Sequence, residues 1–304
     1  MKVFEISQEY SRPIVLSLGF FDCIHVGHKS LIVSANELAK RIGAESFVMT
    51  FSTDPSLYFG KSKQIYTFED RLRVLDNLHV DGVISAKFDE SFANISPKAF
   101  LDMIFTRFNV KAVVVGADYT FGCRAEGNVE VLKGYSAVKG AQILVVPFEC
   151  AHGEKLSTKN LKSYVESGDV KELDLYLSEP YFMTGTVASA KHNGTRMGFP
   201  TANILQSADR LPLKEGVYAT KIVVDGKEFT SMTNVGAKPT FNDFSSSVET
   251  FIMDFHGDIY GKAVKLIFFD RIRDVKAFAG MDELKAQLKK DEQTVRDFFK
   301  NNKL

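Results

Sequence analysis

Between residues 13 and 148 short apolar runs alternate with stretches whose apolar residues recur every three or four positions. The runs at 14–21, 46–51, 82–88, 112–116 and 142–148 predict strands, and the segments 27–42, 68–78, 96–108 and 129–138 predict helices. In the first of these helices Leu31, Ile32, Ala35, Leu38 and Ala39 fall on one face. Ser96-Pro97 supplies an N-cap followed by proline at the first helical position. Strand and helix in alternation imply a parallel sheet with helices on both faces. Such sheets bind ligands beyond the carboxyl ends of their strands.

Beyond about residue 180 the rhythm changes. The runs 216–224 and 228–232 flank Asp225-Gly226-Lys227, a hairpin signal, and 249–255 and 263–269 flank a second turn region at 256–262. The pattern predicts a small antiparallel barrel. It is closed by a helix over 281–300 whose apolar positions, Leu284, Leu288, Val295 and Phe299, form one stripe. Short helical segments over 157–178, broken at Ser167-Gly168-Asp169, join the halves, giving domains at 1–178 and 179–304.

Composition adds exclusions. Lysine plus arginine and aspartate plus glutamate are equal at 38 each, which gives no long-range attraction to nucleic acid or to an anionic membrane. The first thirteen residues are polar, unlike a signal peptide, and no apolar run approaches the length of a membrane span. Cys23, Cys123 and Cys150 are odd in number and widely spaced, so neither a CxxC metal pair nor a disulfide framework is indicated, and a cytoplasmic location is expected. Small-molecule substrates, with no nucleic-acid or membrane partner, are expected for a monomer or weak homo-oligomer.

Candidate chemistry begins at the end of the first predicted strand, where residues 19–28 read GFFDCIHVGH. A strand-to-helix junction offers unpaired N–H groups and a partial positive charge that suit a phosphate. Gly27 allows close approach, and His25 and His28 add donors that could stabilise charge on a phosphoryl oxygen. Two other readings of the pair stay open: ordinary helix-start residues, and zinc ligands, although neither an HExxH pattern nor a third ligand is present. A GKS triplet at 60–62 is not a P-loop, since Pro55 stands where its upstream glycine would fall.

The stretch resembles the G-x-F-D-G-x-H-x-G-H signature of the HxGH nucleotidyltransferases. More closely, it resembles the N-terminal domain of bacterial bifunctional riboflavin kinase/FMN adenylyltransferases, with Gly19, Phe21, Asp22, His25, Gly27 and His28 matching. Residues 116–122, GADYTFG, resemble that family's G-x-D-F-x-F-G segment and include Asp118. The resemblance implies attack of the FMN phosphate on the α-phosphorus of ATP with pyrophosphate leaving. It assigns His25 and His28 to the ATP phosphates and Gly19, Phe21, Asp22, Gly27, Asp118, Ser157, Thr158 and Lys162 to nucleotide binding. The sequence also departs from the pattern. Phe20 replaces a small polar residue and Cys23 a glycine. The F-D-P-H-P run becomes Phe51-Ser-Thr-Asp-Pro55, and I-S-S-T-x-I-R becomes Leu156-Ser-Thr-Lys-Asn-Leu-Lys162. Lysine there keeps charge but lacks arginine's fork.

The second candidate is 185–203, GTVASAKHNGTRMGFPTAN. Thr201 and Asn203 are two apart in an extended segment and so share a face, where an oxygen from each could hold Mg²⁺. Taken alone the segment is a turn entering a strand. It resembles the G-F-P-T-A-N signature of the riboflavin kinase barrel. The resemblance continues through 216–219, 234–241, 248–249, 260–262 and 284–291, with Ala190 and Thr195 replacing a glycine and an arginine. It implies Glu249 as the base that takes the proton of the riboflavin 5′-hydroxyl as that oxygen attacks the γ-phosphorus of ATP. It places Gly185, Gly194, Pro200, Thr201 and Asn203 on nucleotide and Mg²⁺, and Leu284 and Asp291 beside the flavin. The expectation is an α/β domain of Rossmann-like type followed by a β-barrel domain, using ATP, riboflavin and FMN as substrates with Mg²⁺. Two alternatives are a riboflavin kinase whose N-terminal domain adenylylates weakly or not at all, and a flavin-sensing regulatory or RNA-binding protein. The second lacks a basic aromatic surface run.

Overall fold

The computed structural model describes residues 1–60, 63–147, 150–151, 154–155, 158–188, 199–238 and 243–302. They form two compact units, Met1–Thr158 and Lys159–Leu304.

In the first unit the chain runs β1 (Lys2–Glu5), β2 (Tyr10–Leu18), α1 (Val26–Ile42), β3 (Glu45–Phe51), α2 (Pro55–Tyr58), α3 (Phe68–Asn77), β4 (Gly82–Ala86), α4 (Glu90–Ala93), α5 (Pro97–Arg107), β5 (Phe108–Gly116), α6 (Val129–Val138) and β6 (Gln142–Val146). The six strands are parallel in the order β1-β4-β3-β2-β5-β6. Helices on both faces explain why the inner strands read as largely apolar runs; all five residues of β4 are buried. The helices start where side chains satisfy their first N–H groups. Ser96 caps α5 ahead of Pro97, and Thr67 and Asp70 cap each other at the start of α3. Gly43 ends α1 in the left-handed conformation, φ 68°, and donates its N–H to the Ala39 carbonyl.

The first predicted strand, 14–21, is shifted in the structure to Tyr10–Leu18. The apolar run continues past Leu18, but the backbone there leaves the sheet for a turn, and apolar periodicity carries no record of φ. The edge strand β1 escaped the pattern because three of its four residues are exposed.

A ribbon of β7 (Cys150–Ala151) and β8 (Glu154–Lys155) precedes α7 (Thr158–Ser167) and α8 (Val170–Asp174). The second unit then forms a closed antiparallel barrel. Its strands are β9 (Phe182–Ala188), β10 (Thr201–Leu205), β11 (Gly216–Val224), β12 (Lys227–Lys238), β13 (Asp243–Ile252) and β14 (Ala263–Arg273), in the order β10-β13-β12-β11-β14-β9. The sequence reading started β13 six residues late, at 249 instead of Asp243, because the first half of that strand is polar.

The barrel interior holds a chain of hydroxyls among its apolar residues. Thr220 bonds Ser231 at 2.8 Å and Thr233 at 2.7 Å, and Thr233 bonds Thr250 at 2.9 Å, all fully buried. Mutual pairing removes the cost of burying them. The closing helix α9 (Met281–Asn302) packs Val295 and Phe299 on Val217, Ala219, Met232 and Met253, outside the barrel wall. Among the described residues no helix is long and apolar enough to cross a membrane.

Candidate active sites of the two units

Beyond Leu18 the chain turns sharply. Phe21 and Ile24 take left-handed φ values of 56° and 45°, a conformation that bulky side chains hold only when their surroundings fix it. The Phe21 ring is buried and packs edge-on against His28, with centroids 5.0 Å apart. Gly19 makes room for it, since an added Cβ would meet that ring at 2.9 Å. Asp22, also buried, accepts hydrogen bonds from the backbone N–H groups of Ile65 (2.8 Å) and Tyr66 (3.2 Å), tying the turn to the segment that leads into α3. Cys23 is fully buried, so the side chain that replaces the family's glycine faces the core and not the end of the sheet.

The turn ends at His25, the N-cap of α1, whose Nδ1 accepts from the His28 backbone N–H at 3.2 Å. That bond requires an unprotonated Nδ1 and so fixes the neutral imidazole with its proton on Nε2. His25 and His28 stack with ring centroids 3.7 Å apart and 16° between their planes. Burial pushes the His25 pKa down to about 4, against an opposing pull from the Asp118 carboxylate. Burial, and then the neighbouring His25, hold His28 well below the ordinary histidine value. Gly27 lies in the first turn of α1, half-buried, among N–H groups with no partner inside the helix. Asp118 is exposed on the turn after β5. The two histidines, the helix start and the Asp118 turn thus meet at the carboxyl end of the sheet, where two neutral imidazoles and backbone N–H groups can receive a phosphate. Among the described residues no three His, Cys, Asp or Glu side chains are grouped to share a metal. Thr158 opens α7 and is half-buried, Lys162 is buried on the same helix, and Ser157 lies outside the described residues.

Buried neutral histidines give the first unit a definite pH response. A histidine whose folded pKa lies below its unfolded value binds fewer protons folded than unfolded. Its contribution is complete above about pH 6.5 and is lost as pH falls toward about 4. Over that window His25 alone accounts for roughly 3 kcal/mol at about 1.4 kcal/mol per pKa unit. Calorimetric melts between pH 7 and 4.5 should show the parent losing more stability than His25→Asn, in which an asparagine cap replaces the imidazole. Equal losses in the two proteins would contradict a neutral, buried His25.

In the second unit strand register builds the site. Glu249 on β13 is directly opposite Asn203 on β10 and Asn234 on β12, so the carboxylate is bracketed by two amides on the outer wall of the barrel. Thr250, the next residue, points into the hydroxyl chain inside. Thr201, opposite Phe251, lies on the same outer side as Asn203, and both are half-buried. Among the described residues the buried Asn203 Nδ2 has no hydrogen-bond partner. Two oxygen-bearing side chains two residues apart beside a carboxylate are the donors a hard cation takes, and they fit Mg²⁺. Pro200 is exposed just ahead of β10. Gly185 on β9 is where an added Cβ would collide with the Leu205 carbonyl oxygen, so glycine there lets β9 and β10 close together. Gly194 lies outside the described residues, as do Ala190 and Thr195.

Leu284 packs on Phe199, flanked by Phe251, Phe278 and Leu288, which joins α9 to the approach to β10. Asp291 is 2% exposed, and its two oxygens are occupied. Arg273 Nε donates to them at 3.1 and 2.9 Å, Arg273 Nη2 at 2.7 Å and Gln287 Nε2 at 2.7 Å. It clamps α9 to β14. Sequence reasoning did not single out Arg273, Asn234 or, in the first unit, Arg71. The first two are apparent only once strand register and helix packing are known.

Each unit has counterparts among known proteins. Residues 7–160 match the family model for FAD synthetase, and residues 177–299 match that for riboflavin kinase. A bifunctional riboflavin kinase/FMN adenylyltransferase of Listeria monocytogenes is 35% identical over 290 residues, covering 94% of this chain and 92% of its own. One of Bacillus subtilis is 33% identical over 303 residues, covering 97% and 95%. A crystal structure from Streptococcus pneumoniae described as a macrolide-efflux protein superposes with a TM-score of 0.86 at 29% identity, covering 97% of this chain and 99% of that one. With a stacked histidine pair at the start of α1 on the parallel sheet, a glutamate between two asparagines in register on the barrel, and relatives aligned across both, the chain belongs to the bifunctional riboflavin kinase/FMN adenylyltransferase family.

Proposed function

We propose that this chain performs two consecutive reactions, phosphorylation of riboflavin to FMN in the barrel unit and adenylylation of FMN to FAD in the sheet unit. What supports the reading is that His25 and His28 fall within the FAD synthetase match, and Thr201, Asn203 and Glu249 within the riboflavin kinase match.

In the kinase reaction Glu249 takes the proton of the riboflavin 5′-hydroxyl as that oxygen bonds to the γ-phosphorus of ATP and ADP leaves. Asn203 and Asn234 flank Glu249 in register on the neighbouring strands. Thr201 and Asn203 would hold Mg²⁺, which supplies charge neutralisation to the phosphates when bound. Gly185, Gly194 and Pro200 belong to the nucleotide side of this site. Leu284 borders the flavin, and Asp291 fixes the helix that carries it. In the adenylyl transfer an FMN phosphate oxygen attacks the α-phosphorus of ATP and pyrophosphate leaves. His25, through Nε2–H, and His28 stabilise the phosphoryl charge together with the N–H groups at the start of α1. Gly19, Phe21, Asp22 and Gly27 shape the loop, and the family resemblance adds Asp118, Ser157, Thr158 and Lys162 as nucleotide-binding residues.

The kinase-only alternative rests on the altered runs at 51–55 and 156–162. The family match across 7–160 and the inward burial of Cys23 favour two activities. We take the boundary between the two activities at 178/179, where the rhythm of the sequence changes. The equal charge count supports small-molecule substrates over nucleic acid or membrane. The protein is taken to work in the cytoplasm as a monomer or weak homo-oligomer. Incubation of the pure protein with riboflavin, ATP and a magnesium salt, with products separated by chromatography, should yield FMN and then FAD. Formation of neither would reject the reading.

A further inference from the structure

Beneath the histidine loop lies an arginine that no motif points to. Arg71, on α3, is fully buried. Its Nη1 donates to the Phe20 carbonyl oxygen (3.2 Å) and to Thr50 Oγ1 (2.7 Å), and its Nη2 donates to the Phe51 carbonyl oxygen (2.8 Å). Thr50 Oγ1 in turn donates to the same Phe20 oxygen at 2.6 Å. The Phe20 ring covers the guanidinium, 4.9 Å from its centroid. One planar cation therefore joins the turn after β2, the carboxyl end of β3 and the first helical turns of α3. Asp22, Asp54 and Asp70, each at most 2% exposed, surround it with compensating charge. The turn it holds contains the two left-handed residues, Phe21 and Ile24, and leads directly into His25. Such a backbone persists only if its surroundings over-determine it. Phe20, the departure from the family's small residue, supplies both the carbonyl that Arg71 binds and the ring that covers it.

We infer that Arg71 is the positioning residue of the adenylyl-transfer site, acting through the Phe20 carbonyl and Thr50 to set where His25 and His28 meet the ATP phosphates. This rests on the reading that the first unit makes FAD; a parent protein that forms none from FMN and ATP would fail that reading itself.

The test uses the full chain and two variants. Lysine at 71 keeps the charge and loses the fork that reaches three acceptors. Valine at 50 keeps the shape of threonine and removes the hydroxyl. Turnover is normalised to the folded fraction, read by circular dichroism and calorimetric melting, so that an unfolded fraction does not mimic a catalytic defect. A displacement of the histidines of about an ångström corresponds to a roughly 100-fold loss of rate. Arg71→Lys should therefore lower kcat for FAD formation on the order of 10- to 100-fold, with KM for ATP and FMN within about threefold of the parent. Riboflavin phosphorylation in the other unit should not change. Thr50→Val should lower kcat about three- to tenfold. The double variant should be no worse than Arg71→Lys alone, because both changes open one linkage. Parental kcat in Arg71→Lys, a raised KM with unchanged kcat, or losses that multiply in the double variant would each overturn the inference. If Arg71→Lys does not fold, parental kcat in Thr50→Val does so.

Discussion

Replacing Glu249 with glutamine should reduce riboflavin phosphorylation by about 10²- to 10⁴-fold, the range that general-base catalysis contributes. The amide fits the space of the carboxylate and leaves the register with Asn203 and Asn234 on both sides unchanged. What it cannot do is accept a proton. The expected signature is a fall in kcat with KM for riboflavin little changed. The same preparation should convert added FMN to FAD at the parental rate, because that reaction belongs to the other unit. This internal control separates chemistry from folding. A Glu249→Gln protein that phosphorylates riboflavin at the parental rate would remove the carboxylate from the mechanism.

The second large effect belongs to the histidine pair. His25 has two duties: it caps α1 through Nδ1, and it offers Nε2–H to the ligand. Asparagine is among the best N-caps, so His25→Asn retains the first duty and removes the second. If the imidazole acts on phosphate, FAD formation from FMN and ATP should fall by about 10²- to 10³-fold, as when one preorganised donor is lost from a charged transition state. At pH 7 the melting temperature should stay near the parent's. His28→Ala should show a similar loss of turnover. It should also lose stability, because the ring is packed between His25 and Phe21. Riboflavin phosphorylation should be intact in both. Parental FAD formation in His25→Asn would reduce that histidine to a helix cap.

Much of this is legible in the sequence, for physical reasons that also mark where legibility stops. A parallel strand buried on both faces is largely apolar, so β3 and β4 stand out as short apolar runs interrupted by serine and threonine. Helix starts carry their own chemistry, and Ser96-Pro97 is sufficient to place α5. The histidine site is written within ten residues because one turn and one helix start build most of it. The barrel site is different. Asn203, Asn234 and Glu249 lie far apart in the sequence, and only pairing across three strands puts them on one face. A lone glutamate in a strand looks like any solvated glutamate until that register is known. Arg71 is further from view. It lies in FEDRLRVLDN, a charged amphipathic segment in which an arginine reads as a surface residue. Its acceptors at Phe20, Thr50 and Phe51 come from the ends of two other strands. Local patterns therefore reveal motifs, while the groups that hold motifs in place are reached through tertiary structure.

The two altered runs of the first unit, at 51–55 and 156–162, bear on one question above the rest: whether this chain still transfers an adenylyl group. The direct measurement supplies FMN, ATP and Mg²⁺ to catalytic amounts of the pure protein and follows FAD and pyrophosphate. Two working sites require many turnovers, with FAD and pyrophosphate appearing in equal amounts. Production of FMN from riboflavin, with no FAD from FMN beyond a single turnover, would contradict the account and leave a riboflavin kinase attached to a silent nucleotidyltransferase domain.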